Sequence, residues 1–250
     1  ITVGNTPAMY LSEPLPDLPK EPTSLIMFLR KHIEGARITH VQQINGDRIF
    51  QIDIDKLELS GDITTTNVYV ELMGKYSNCI FVQNGTILES LIHVTPLMNR
   101  ERSIAPKLAY ELPPNANRGS LFEYNQEEIY SMLVSFHQNT VGNTIRGIFN
   151  GFGKAHFDEL LYRLGRGSQD TTDAFTDEDW KHMAKVMCTT ADEMLQSNTL
   201  YAYRDDKGKL QYASIPLSWG SLERTYDNIS QAIALDIQAQ GSIHTSDQQL

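Results

Sequence analysis

The chain has 250 residues, 40% hydrophobic and 21% charged, which suits an ordinary globular fold of one large domain or two modest ones. No stretch approaches the roughly 18 apolar residues of a membrane helix, so no membrane partner is expected. The net charge of −10 excludes a chain that is basic throughout, as a general nucleic-acid binder would be.

The charge is uneven along the chain. The first 110 residues are near neutral, and the remainder carries most of the deficit. A local basic face is therefore expected only in the first part. Prolines 7, 14, 16, 19 and 22 mark an irregular opening, with a short strand predicted at Met9–Leu11. Thr23 or Ser24 then caps a predicted helix with Leu25, Ile26, Phe28, Leu29 and Ile33 on its apolar face, ended by Gly35. The period changes to two. Strands are predicted at Ile38–Ile44, Arg48–Ile54, Asn67–Leu72, Asn78–Gln83 and Thr86–His93, with tight turns at Asn45-Gly46-Asp47 and Asn84-Gly85.

Residues 95–120 read as a proline-rich loop at a domain edge. Helices are then predicted at Asn125–Gln138, Asn143–Phe149, Lys154–Leu164 and Asp177–Gln196, with a polar linker over 165–176. Leu200–Arg204 and Leu210–Ile215 bracket a turn at Asp206-Lys207-Gly208-Lys209, and a last helix spans about Asp227–Gln240. The expected fold class is α+β, a mostly antiparallel sheet with a flanking helix, followed by a helical region. The expected segments are 1–118, 119–167 and 168–250.

No GxSxG, HExxH, GxxxxGK[ST] or strand-borne GxGxxG occurs, so no catalytic residue, cofactor or metal is expected. None of the seven histidines pairs with another His or Cys at metal spacing. Cys79 and Cys188 read as reduced, buried thiols of a cytosolic protein.

Two segments could meet RNA. Gly151-Phe152-Gly153 lies between two helices, the outline of a helix-hairpin-helix. Backbone N–H groups at such a helix N-terminus take phosphate, and Lys154 adds charge there. An ordinary helical hairpin fits the same residues. The second segment holds Arg30, Lys31, Arg37 and Arg48, a basic patch if they share one face. Asp47 beside Arg48 pairs a base-accepting carboxylate with a phosphate-binding guanidinium. Asp47 also reads as an ordinary turn residue on a solvated surface.

The run SLIMFLRKHIEGARITHVQQINGDRIF resembles the NFACT-N domain of the fibronectin-binding protein A / RqcH family, whose eukaryotic relatives include the nuclear export mediator factor. The shared cores are RKHxEGxRI and GDRI; Phe28 misses the family's aromatic spacing and Ala36 replaces a glycine. The resemblance continues in VELMGKYSNCIFVQNGTILESLIHV and NRERSIAPKLAYELPP, where Ala105-Pro106-Lys107 departs from the family's Pro-Gly. It implies a core like the N-terminal domain of formamidopyrimidine-type glycosylases, without their proline nucleophile. It implies that the family's first helix and strands, its coiled coil and NFACT-R lie outside these 250 residues. It further implies a cytoplasmic, ribosome-associated quality-control factor. Its partners would be tRNA and the large ribosomal subunit with its rRNA, and its role would be alanine tailing of stalled chains. The family's tRNA-engaging Asp-Arg pair falls on Asp47 and Arg48. The alternative that the family name carries is a surface adhesin that binds fibronectin.

Overall fold

The computed structural model describes residues 1–2, 7–11, 21–114, 118–204, 208 and 210–235. The chain divides into two compact units, Ile1–Ala116 and Asn117–Leu250.

The first unit is an antiparallel meander of five strands in sequence order: β1 (Arg37–Gln43), β2 (Ile49–Leu57), β3 (Ile63–Glu71), β4 (Asn78–Gln83) and β5 (Thr86–Ser90). Helix α1 (Ser24–His32) covers one face. Thr23 caps it by accepting the Ile26 N–H at 3.4 Å, and Gly35, at φ 75°, turns the chain into β1. Leu25, Phe28, Leu29 and Ile33 pack on Ile54, Val68, Val70, Cys79 and Phe81. Register explains the choice. Ile54, Thr66 and Val68, Ile52 pair across β2 and β3, so even-numbered positions of both strands share the helix-facing side. Burial pushes the Cys79 thiol up to about 12, which leaves it protonated and inert. Cys188 is free as well but only half-buried, because its helix turns that position toward the rim of its core.

Apart from Ile49 on β2 and Tyr69 on β3, the opposite face is apolar only at β4 and β5. There Ile80, Val82 and Ile87 meet Ile104, with Tyr69, Val94 and Tyr110 around them. The proline-rich stretch after β5 is therefore a cover for the sheet as well as a connection. It bridges to β5 at Thr86 and Ala109 and closes on itself at Val94 and Ile104. Its anchor is Glu71, only 2% exposed, which takes two hydrogen bonds from Arg102 at 2.7 and 2.8 Å and one from the Tyr110 hydroxyl at 2.9 Å. Over β1–β3 the same face is a polar ladder. Asp53 accepts from Gln51 at 2.8 Å and Asn67 at 2.7 Å, and Asp55 accepts from Thr65 at 2.7 Å.

Several boundaries differ from expectation. Met9–Leu11 is not a strand; Thr2 and Ala8 form an isolated bridge, and Met9 packs beneath α1 instead. β3 starts four residues early, at Ile63, because Thr64 and Thr65 bond to Glu58 and Asp55 across the hairpin. β5 stops at Ser90, where Asn78 ties down the Ile92 backbone at 2.7 and 3.0 Å.

In the second unit α2 (Gln126–Phe136), α3 (Val141–Ile148), α4 (Lys154–Leu164) and α5 (Asp177–Gln196) share one core. Leu121, Ile129, Leu133, Ile145, Leu160, Met183 and Met187 are its largest fully buried side chains. Asn125 with Glu128 and Thr176 with Asp179 form capping boxes at α2 and α5. The core runs without a break across residues 167 and 168, so the helices before and after the polar linker belong together.

A two-stranded parallel pair joins β6 (Gly119–Ser120), before α2, to β7 (Phe149–Asn150), between α3 and α4. A small sheet follows, in the order β10-β8-β9, from β8 (Leu200–Arg204), β9 (Leu210–Ala213) and β10 (Ser221–Tyr226). β10 was not expected; its residues are mostly exposed, so its alternation carries little apolar signal. A helix runs over 229–235, starting two residues later than expected because Asp227 and Asn228 are not helical; residues 236–240 of the expected Asp227–Gln240 helix lie outside the described residues, as do most of the 206–209 turn and the proline-rich connector.

His156 on α4 links that helix to the sheet. Its Nε2 accepts the Ser214 N–H at 3.0 Å, a bond only the neutral ring can accept at that nitrogen. Burial lowers its pKa below the ordinary 6.5. The unfolded chain therefore gains a proton near pH 6.5 before the native one does. The stabilisation is fully present above that pH and is lost as pH falls toward the native pKa. Urea unfolding of wild type and His156→Gln from pH 7.5 to 5, as about half-unit steps, should show a wild-type decline that the variant lacks. Parallel pH profiles would refute it.

Candidate nucleic-acid interface

The β1–β2 hairpin brings Asp47 and Arg48 to one corner of the sheet. Asn45 and Gly46 take positive φ, 49° and 64°, and reverse the chain. Ile44 donates to the Ile49 carbonyl at 2.8 Å, the Asp47 N–H to the Ile44 carbonyl at 2.9 Å, and Gln43 Nε2 to the Asp47 carbonyl at 2.8 Å. The Asp47 carboxylate accepts the Arg48 N–H at 2.7 Å, and the Arg48 carbonyl accepts from Leu72 at 2.8 Å. The backbone at Arg48 is thus held on both sides while its side chain is exposed.

Among the described residues, none of Arg30, Lys31, Arg37 and Arg48 is in an ion pair, whereas Arg102, Arg163, Arg166 and Arg204 all are. Arg30 and Lys31 lie in the last turn of α1 and are exposed.

The four cations do not form one patch. Arg37 pairs in register with Asp55, at the opposite end of β2 from Arg48. Six residues separate Asp55 from Ile49, about 20 Å of strand. A period-two reading fixes faces, but the span of the hairpin separates its ends. Lys56 was missed by sequence reasoning. It continues the helix-facing series Ile52, Ile54, and its ammonium donates to the Lys31 carbonyl at the end of α1. The alternation itself was the available signal.

The second candidate lies in the other unit. Gly151 has φ 113°, a conformation few residues but glycine adopt, and a Cβ there would sit 2.9 Å from the Phe122 ring. Gly153 begins α4 without a side-chain cap, so the first N–H groups of α4 have no side-chain acceptor there. Lys154 is paired with Asp158 at 2.6 Å along the helix, which partly offsets its charge at that terminus. Among the described residues no group of three or more His, Cys, Asp or Glu could hold a metal ion, and no helix is long and apolar enough to cross a membrane.

Comparison with known proteins bears on these sites. A protein of Bacillus subtilis, the Rqc2 homolog RqcH, is 34% identical over 155 residues, 61% of this chain and 27% of the relative. The archaeal Rqc2 homolog aRqcH of Methanocaldococcus jannaschii is 24% identical over 240 residues, 91% of this chain and 33% of the relative. This chain thus spans between a quarter and a third of those relatives. Among solved structures, the N-terminal part of the fibronectin/fibrinogen-binding protein from Streptococcus suis superposes with a TM-score of 0.71 at 24% identity, over 92% of this chain and 78% of that one. That likeness is one of fold. The model of the NFACT N-terminal and middle domains matches residues 3–235, and the chain belongs to that family.

Proposed function

We propose that this chain is the RNA-binding part of a ribosome-associated quality-control factor. It engages tRNA on an obstructed large ribosomal subunit and so supports alanine tailing of the stalled nascent chain. It acts without catalysis, in the cytoplasm. The observation that carries the reading is Arg48: an exposed guanidinium outside any ion pair, on a corner whose backbone is clamped on both sides. An unneutralised guanidinium projecting from a fixed backbone position can bind phosphate bidentately or stack on a base. Asp47 beside it can accept from a base amino group. Arg30, Lys31 and Arg37 add charge near the other end of β2. In the second unit, α3, the 149–153 turn and α4 serve as a helix-hairpin-helix, with Gly151 and Gly153 admitting a phosphate and Lys154 a minor contributor. The family relationship supports the setting, since the relatives are named Rqc2 homologs.

Arg48→Ala should weaken tRNA binding by about 1–3 kcal/mol at matched salt, with an unchanged melting temperature. Equal affinity in variant and wild type would remove the role given to Arg48. The adhesin alternative draws on the names of structures that share the fold. Saturable fibronectin binding that survives about 0.3 M salt, where exposed charges are screened, would replace the RNA reading.

A further inference from the structure

The end of α1 gathers positive charge that its own fold does not neutralise. Arg30, Lys31 and His32 occupy its last turn. Lys56 reaches over from β2 to the Lys31 carbonyl, which adds a cation at the negative end of the helix dipole. Among the described residues, none of Arg30, Lys31 and Lys56 is in an ion pair. The nearby carboxylates are Glu34, two residues past His32, and Glu58, which accepts from the Thr64 hydroxyl at 2.7 Å; neither is in an ion pair with these cations. His32 is stacked on Phe28, ring centroids 4.6 Å apart, so the cluster has a fixed member. Burial, then Lys31 and Lys56, lower the His32 pKa, against Glu58, which raises it. The local field is positive although the chain is acidic. Cations gathered at one helix end and left outside ion pairs attract an external anion.

We propose that Arg30, Lys31, His32 and Lys56 form a second contact for RNA backbone phosphates, separate from the Arg48 corner. The inference rests on the RNA-binding reading above. Arg37 is not part of it: paired with Asp55, it shares that residue's face, and Lys56, one position on, points to the other. Arg48 and Lys56 lie eight positions apart on nearly continuous strand, about 26 Å. A stacked strand advances about 3.4 Å per nucleotide, so roughly eight nucleotides, or a folded RNA, are needed to reach both. The second contact should therefore add affinity and salt dependence without base preference.

The test uses the full chain and an unmodified tRNA across a salt series. Wild type is compared with Lys31→Ala/Lys56→Ala, with Arg48→Ala, and with the charge-matched Lys75→Ala/Arg100→Ala. Each lost phosphate contact lowers the slope of log affinity against log salt by about 0.7–0.9. The Lys31/Lys56 pair should lower it by about 1.5 and the matched pair by much less. In a separate readout, tRNA should raise the His32 pKa measured by NMR, because a phosphate beside the ring favours its charged form. An unchanged slope and an unmoved His32, with Arg48→Ala still impaired, would overturn the second contact and leave the RNA reading standing. An equal effect of the matched pair would overturn it too, by assigning the loss to net charge. Absence of tRNA binding by the folded wild type would sink both.

Discussion

Arg102→Ala is expected to destabilise the first unit by about 3–5 kcal/mol, a large part of the stability of an ordinary domain. The reason lies in what the change leaves behind. Glu71 is 2% exposed, and Arg102 supplies two of its three side-chain hydrogen bonds. Without the guanidinium the carboxylate stays enclosed, with only the Tyr110 hydroxyl as donor. Tyr110 stays protonated as a single donor and cannot move to compensate. Burial first, then the Glu71 carboxylate, push its own pKa upward, and its ring is stacked on Tyr69 at 4.0 Å. The triple change Glu71→Leu, Arg102→Met, Tyr110→Phe should cost less than Arg102→Ala alone, because it removes the charge along with its partner. Urea unfolding of the two variants checks the order. A single-site cost below about 1 kcal/mol would mean that water reaches Glu71 and that the cover of the sheet is not anchored there.

That anchor was not legible in the sequence. Glu71 lies in the string VELMGK as one charged residue at a strand end, and Arg102 lies in a stretch that reads as loop. Nothing local tells an enclosed carboxylate from a solvated one, since the pairing spans 31 positions. The meander itself was legible, because its strands alternate and its turns carry Asn-Gly pairs at 45–46 and 84–85. Both turn asparagines take the positive φ that this reading requires, 49° and 50°. β10 was not legible because exposed strands carry a weak pattern.

The candidate interface divides in the same way. Adjacent residues such as Asp47 and Arg48 are placed by their turn, so local reasoning sufficed to put them on one corner. Arg37 and Arg48 are close in sequence yet sit at opposite ends of a hairpin, and only the pairing register separates them. Lys154 was singled out for its position at a helix start, but its neighbour one turn on, Asp158, partly offsets the charge.

Arg163→Met should cost toward the lower end of about 3–5 kcal/mol, and more than Glu159→Gln. Glu159 on α4 is 0% exposed and accepts from Arg163 Nε at 2.7 Å, the Ser218 N–H at 2.7 Å and the Ser218 hydroxyl at 2.8 Å. Arg163 is 24% exposed and also meets Glu193 of α5 at 2.8 Å. One pair therefore joins α4 to α5 and to the loop after β9. Removing the guanidinium leaves an enclosed carboxylate with Ser218 alone, and the partial exposure of Arg163 tempers the loss by admitting water. Glu159→Gln keeps the shape, and Arg163 retains Glu193. The new amide nitrogen must still face a donor, either Arg163 or the Ser218 N–H, which costs about 1–3 kcal/mol. Chemical denaturation of both variants at matched salt decides the order. The reverse order would mean that α4 is held to the small sheet by the Ser218 bonds, with the charge pair contributing little. In either case α4 sets where Gly153 and the turn before it lie. Loss of tRNA binding in a folded Arg163→Met would therefore implicate the position of that turn, and unchanged binding would confine RNA contact to the first unit.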